Sequence, residues 1–158
     1  MLDLDDATQA EIEAAEENLQ KAMEALLSKT GWQVINGQKY YYGEDGTKKT
    51  GWQEIDGKKY YFGEENDGAM KTYWQQIDGK WYFFGNDGVM RTYWQKIWGK
   101  WYFLGSATDG AMKTVWQKIN GKWYYFGGEQ DGSMKSNVWV GDYYLDNSGV
   151  WSKTKKSK

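Results

Sequence analysis

Cysteine, histidine and proline are all missing from the 158 residues. Without thiol or imidazole the chain has no cysteine nucleophile, no imidazole base, no Ser-His-Asp triad and no zinc site built from nitrogen or sulfur ligands. Missing cysteine also removes any disulfide framework. No apolar run approaches the ~18 residues of a membrane span, so none is expected. The residues after Met1 carry no apolar signal segment, so any secretion signal is expected to have been removed or never to have belonged to this chain. Aliphatic residues are sparse, whereas aromatics are abundant, with 11 Trp, 13 Tyr and 5 Phe. A conventional Leu/Ile/Val core cannot account for such a fold, and aromatic stacking must carry the burial.

Charge is unevenly divided. Residues 1–30 hold eight acids and two lysines, the tail 152–158 holds four lysines, and the stretch 31–151 has fourteen charges of each sign. A neutral body lacks the basic stripe that neutralises phosphates, which argues against a nucleic-acid partner. The tail reads as a solvated basic end.

Between Asp6 and Ser28 the apolar Ile12, Ala15, Leu19, Met23, Leu26 and Leu27 recur at three- and four-residue intervals, with Glu11, Glu13, Glu16, Glu17 and Glu24 on the other face. This pattern predicts an amphipathic helix, capped by Asp6 with Gln9 and stopped by Gly31. Its stripe is expected to pack against the end of the following body, with self-association as a coiled coil the alternative.

From Thr30 onward the sequence repeats. One tryptophan recurs at Trp32, Trp52, Trp74, Trp94, Trp116 and Trp139, with spacings of 20, 22, 20, 22 and 23 residues. Asn36-Gly37, Asp56-Gly57, Asp78-Gly79 and Asn120-Gly121 lie between short segments rich in aromatic and β-branched residues, the signature of a two-residue hairpin turn. A second turn carrying Asp-Gly (Asp45-Gly46, Asp67-Gly68, Asp87-Gly88, Asp109-Gly110, Asp131-Gly132) follows the first five hairpins and, in all but the first, leads to Met70, Met90, Met112 or Met134. Hairpins of about 20 residues cannot bury a core alone and must share aromatic faces with their neighbours. The fold class is therefore mainly β: a solenoid of stacked β-hairpin repeats with one N-terminal amphipathic α-helix. Its parts are an acidic helix or cap over 1–29, five repeats plus a shortened terminal one over 30–151, and the basic tail over 152–158. Tyr41, Tyr61, Phe83, Phe103 and Tyr125 are assigned to packing. The recurring Asp-Gly pairs do not make an active site, because catalytic carboxylates need unlike environments, nor a calcium loop, which needs several oxygen ligands at alternating spacing. No catalytic residue, metal or cofactor is expected.

Segments such as "WQQIDGKWYFFGNDGVMRT" and "WQKINGKWYYFGGEQDGSMKS" resemble the cell-wall-binding repeats of Gram-positive bacteria and their phages. The likeness is to the choline-binding repeat group, with glucan-binding and clostridial-toxin repeats as relatives. The resemblance implies a left-handed superhelix of hairpins with ligand cavities between consecutive ones, in a secreted or cell-surface module. Each cage would join the first-strand Trp, the second-strand Trp seven residues later, an aromatic of the next hairpin and a nearby Met. Carried over, one cage is Trp74, Trp81 and Trp94 with Met90, the second Trp94, Trp101 and Trp116 with Met112, and the third Trp116, Trp123 and Trp139 with Met134. Such cages suit a quaternary ammonium, which donates no hydrogen bond and is held by negative π faces. The implied partner is choline-bearing teichoic acid or cell-wall polysaccharide.

Lys39 and Lys59 stand where later repeats carry the second-strand Trp, and Lys48 and Lys49 where a Met would follow. No choline site is therefore expected between the first two hairpins. Tyr73, Tyr93 and Val115 occupy the place of a family glycine before Trp and are expected to reshape the cavities. Trp98 replaces the Asn or Asp of the hairpin turn and should project into solvent, either as a chance substitution, as a contact with the helix or another chain, or as a sugar-stacking platform. Two other functions stay open: α-glucan binding, for which Gln33, Gln53, Gln75, Gln95 and Gln117 offer polar groups, and a ligand-free structural or engineered repeat scaffold.

Overall fold

The computed structural model describes residues 4–27 and 29–156, with side chains described from residue 8 to 25 and from 29 to 156. It divides into two compact units, residues 1–71 and 72–158.

The first unit opens with helix α1 (Leu4–Leu27). Ala, Glu, Gln, Leu and Met are strong helix formers, and one-turn pairs support it, with Gln9 donating to Glu13 at 3.2 Å, Gln20 to Glu24 at 3.0 Å, and Lys21 paired with Glu17 at 2.9 Å. The helix starts ahead of Asp6, so that residue sits inside the first turn rather than at its cap; its side chain, like those of Leu26 and Leu27, lies outside the described residues. Gly31 does not stop the helix but opens the first strand. Among the described residues the apolar stripe is not packed on the body: Ile12, Leu19 and Met23 are 52, 62 and 50% exposed. The expected burial against the repeats is therefore corrected.

Strands β1 (Gly31–Ile35) and β2 (Gln38–Tyr42) form the first antiparallel hairpin, β3 (Trp52–Ile55) and β4 (Lys58–Tyr61) the second. Both central turn residues have positive φ, as at Asn36 (51°) and Gly37 (77°), which is the backbone that matches strand twist in a two-residue turn. Trp32 packs against Tyr60 at 5.0 Å and against the fully buried Phe62 at 5.7 Å. The loop after the second hairpin turns back, and the Met70 amide donates to the Lys39 carbonyl at 2.8 Å.

In the second unit the hairpins are β5 (Tyr73–Ile77) with β6 (Lys80–Phe84), β7 (Trp94–Ile97) with β8 (Lys100–Phe103), and β9 (Val115–Ile119) with β10 (Lys122–Phe126). A short three-stranded sheet ends the unit, β11 (Val138–Val140), β12 (Tyr143–Leu145) and β13 (Trp151–Thr154). The start of the expected solvated tail is thus strand, although its side chains are exposed. Phe84, Leu104, Phe126 and Leu145 are fully buried, and Ile97, Tyr102 and Leu104 form a core cluster with Trp74, Phe83 and Met112 packed on it. The repeats have only short strands, so stacked rings rather than sheet breadth supply the buried apolar area.

Repeated polar clasps set the linking loops. Lys113 reaches Asp109 at 2.5 Å, Arg91 reaches Asp87 at 3.1 Å, and Lys71–Asp67 and Lys135–Asp131 are equivalent pairs. Hydrogen bonds from Lys135 and Ser133 hold the Asp131 carboxyl below the usual carboxylate range, and the Lys71 hydrogen bond does the same for Asp67. At Asp109 burial pushes upward, but Lys113 and the Ala111 amide outweigh it and the carboxyl is again lowered.

Candidate functional site

Antiparallel pairing sets Trp74 opposite Phe83 and Trp81 opposite Gln76. The two indoles stand 6.5 Å apart at 84°, forming a corner. The next hairpin closes that corner with its second strand: Tyr102 lies 5.0 Å from Trp74 at 63°. The loop after that hairpin folds back so that the Met112 amide donates to the Trp81 carbonyl at 2.8 Å. Trp74, Trp81, Tyr102 and Met112 thereby line a cavity of about 200 Å³, with Gln130 and Asp131 at its edge.

The same construction recurs one repeat on. Trp94 and Trp101 stand 6.4 Å apart at 82°, Tyr124 lies 4.9 Å from Trp94, and the Met134 amide donates to the Trp101 carbonyl at 2.7 Å. These four residues, with Ser148, line about 220 Å³. The third cavity, about 320 Å³, is bounded by Trp116, Trp123, Tyr143 and Trp151. Here Trp116–Tyr143 (5.5 Å, 81°) and Tyr143–Trp151 (5.2 Å, 83°) are edge-on contacts.

The structure thus brings Trp74 with Trp81, Trp94 with Trp101, and Trp116 with Trp123, but it regroups the other members. The third ring is the second-strand tyrosine of the next hairpin, not that hairpin's first-strand tryptophan. Trp94 and Trp116 each begin the following cavity, and Trp139 pairs with Tyr144 at 5.2 Å. Each methionine belongs one cavity earlier than its sequence position suggests. Met112 serves the first and Met134 the second, while the buried Met90 lies against Gly110, where any Cβ would collide with its sulfur. The physical cause is the returning loop, whose amide bonds to the preceding hairpin and carries its methionine back with it.

Sequence reasoning missed Tyr102, Tyr124, Tyr143 and Trp151. The tyrosines did leave a signal, since Tyr follows the second-strand Trp or Lys at Tyr40, Tyr60, Tyr82, Tyr102 and Tyr124. Trp151 closes the shortened terminal unit, has no counterpart in the other repeats and left none.

The residues in the glycine place do not reshape the cavities. Tyr73, Tyr93 and Val115 have φ of 61°, 57° and 53°, against 75° and 65° at Gly31 and Gly51, and about half of each is exposed. They keep the glycine backbone and turn outward. In the first unit, the loop that returns to Lys39 carries Met70, so Lys48 does not deprive the first pair of hairpins of a methionine. What distinguishes that pair is Lys39, opposite Val34 where Trp81 is opposite Gln76. The glutamine ladder is used internally: Gln33, Gln53, Gln75, Gln95 and Gln117 donate their amides to the carbonyls of Thr30, Thr50, Thr72, Thr92 and Thr114 at 2.8–3.2 Å.

Electrostatics differ among the cavities. Lys96 and Lys118 lie 6.0 Å over the rings of Trp101 and Trp123, whereas Gln76 is the cross-strand neighbour of Trp81. Burial, followed by the charge of Asp131, pushes the Tyr102 phenol upward, so it remains neutral at ordinary pH. The Trp81 indole N–H is buried without a hydrogen-bond partner.

The choline-binding repeat profile matches residues 29–74 and 71–115, and a cell wall binding repeat profile matches residues 116–134. No curated protein sequence matched. Among solved structures, choline-binding protein F of Streptococcus pneumoniae is 40% identical at a TM-score of 0.73, over 78% of this chain and 40% of its own; one of its crystal structures is in the presence of a peptidoglycan analogue, a tetrasaccharide-pentapeptide. CbpJ of the same species is 35% identical at a TM-score of 0.71, over 78% of this chain and 42% of its own. The endolysin of phage Cp-1, complexed with choline, is 28% identical at a TM-score of 0.54, over 78% of this chain and 37% of its own. The chain therefore spans about two fifths of the length of these relatives. With its family profile covering more than half of the sequence, the chain belongs to the choline-binding repeat family.

Proposed function

We propose that the chain is a non-catalytic module that attaches to a bacterial surface by holding the choline groups of teichoic acid in aromatic cages between successive hairpins. The observation that carries the reading is the near-perpendicular pair of indoles, with a phenol inclined at 63° or 66° to the first, around cavities of about 200 and 220 Å³, each with a methionine. A trimethylammonium group offers no N–H, so it gains nothing from hydrogen-bond acceptors and much from several π faces in a partly dry pocket, about 2 kcal/mol for a desolvated contact. The polarisable thioether completes the enclosure. The complex of the related phage endolysin with choline supports the same ligand here.

The third cavity, with Trp151 in place of methionine, is the same kind of site. Winding of the stacked hairpins into a solenoid would present the cages in series, so that several weak sites add up to firm attachment to a polymer bearing many cholines. A secreted, cell-surface location follows from this partner. α-Glucan binding through the glutamine ladder is the weaker reading, because those amides are engaged by threonine carbonyls of their own loops.

Intrinsic tryptophan fluorescence titrated with choline, beside dextran and a salt control, tests the reading. A saturable change with choline that Trp101→Ala weakens and Trp98→Asn does not is expected. A response to dextran alone, or equal retention of both variants on a choline matrix, would overturn it.

A further inference from the structure

Outside the cages, the second unit carries another aromatic surface. Trp98, at the tip of the β7–β8 hairpin, is 74% exposed. Its ring lies 6.2 Å from Tyr73 at an interplanar angle of 40°, and 6.1 Å from Phe83 at 87°. Tyr73 is itself about half exposed and 6.2 Å from Phe83. The three rings come from two successive hairpins and make a shallow, open aromatic surface that none of the three cavities uses.

Two of the three rings are held at a backbone cost. Trp98 has a φ of 48° where the equivalent turn positions carry Asn36, Asp56, Asp78 and Asn120, and Tyr73 has a φ of 61° where earlier repeats have glycine. Tyr93 and Val115 share the backbone of Tyr73, so the cost particular to this patch is that of Trp98, a bulky ring in a turn position held elsewhere by Asn or Asp, and strain retained there points to use.

We infer that Trp98 and Tyr73 form a second binding site, a stacking platform for a pyranose ring of the cell-wall polysaccharide. Three observations select this occupant. The patch consists of three rings, far below the roughly 800 Å² per partner of a stable protein interface. Trp98 and Tyr73, at 40° to each other, are the exposed pair and Phe83 stands edge-on behind them at 87°, so two ring surfaces are open to a sugar's axial C–H groups, and the indole N–H and phenol hydroxyl are chemically suited to sugar hydroxyls. It is also continuous with the first cage, since Phe83 touches Trp98 on one side and the cage wall Trp74, at 5.2 Å, on the other. A polymer anchored by its choline groups would run past this platform.

The inference goes beyond the choline reading and can fail without it. The probe is a choline-free N-acetylglucosamine tetrasaccharide, followed through tryptophan indole NMR signals of the full chain, with choline titrated separately. Trp98→Asn restores the usual turn residue and removes the ring. Saturable shifts at Trp98 in the parent, lost in Trp98→Asn and weakened at least several-fold in Tyr73→Gly, with choline binding unchanged in both, are expected. No saturable response in the parent, or an equal one in Trp98→Asn, would overturn the platform. A lower melting temperature in Trp98→Asn with no change in tetrasaccharide affinity would assign the ring to packing, and self-association abolished by that variant would assign the patch to a second copy of the chain.

Discussion

Val115 shows what a single residue costs in this architecture. A β-branched side chain at a φ of 53° is poorly tolerated, and the equivalent Gly31 and Gly51 hold φ of 75° and 65° without that penalty. Since Val115 is about half exposed and lines none of the cavities, Val115→Gly loses little packing. The variant is expected to gain about 1 kcal/mol, a rise in melting temperature of roughly 2–4 °C by calorimetry. Asp131 carries the second residue-scale expectation. Its carboxyl is lowered from 3.8 in the folded chain, so the stability it contributes is present above that value and is lost as pH falls through the lower folded value. Because Asp131 also stands at the edge of the first cage, its charge favours a bound cation over the same range. Choline affinity at Trp81, read from indole chemical shifts, should stay flat from about pH 8 to pH 5 and weaken only below about pH 4. A midpoint near neutrality would contradict this assignment.

At the scale of the element, a hairpin is legible in sequence and a cage is not. The turn pairs Asn36-Gly37 and Asp78-Gly79 announce their backbone because both residues must take positive φ, and the alternation beside them needs only local pairing. The helix is equally local, although its exposed stripe shows that an apolar face does not reveal what covers it. Cage membership depends on which strand of the next hairpin meets Trp74. That choice is made by packing and by a returning loop, neither of which leaves a mark in spacing, so Tyr102 was missed and Met90 misassigned. The corrected grouping gives a direct test in the first unit. Trp32, Tyr60 and Met70 already stand where Trp74, Tyr102 and Met112 stand, with Lys39 in place of Trp81. Lys39→Trp is expected to add one choline site, raising the calorimetric stoichiometry by one; an unchanged stoichiometry would refute the regrouping.

For the whole molecule, the sequence disclosed the repeat, the aromatic core and the choline-binding repeat family, because these are properties of pattern and composition. It did not disclose the inequality of the sites. Lys96 and Lys118 lie over cage tryptophans in two of them, an acid edges the other, and Trp151 replaces a methionine in the last. The returning loop gives this inequality a rule of counting. Since the amide of Met112 bonds back to Trp81 and that of Met134 back to Trp101, every cage is begun by one repeat and finished by the next. In the second unit the cavities therefore behave like the gaps in a fence rather than its posts: the three number one fewer than the four successive strand pairs that frame them. Shortening this unit from its far end would ruin the cavity that Trp116 and Trp123 begin, because Tyr143 and Trp151 finish it.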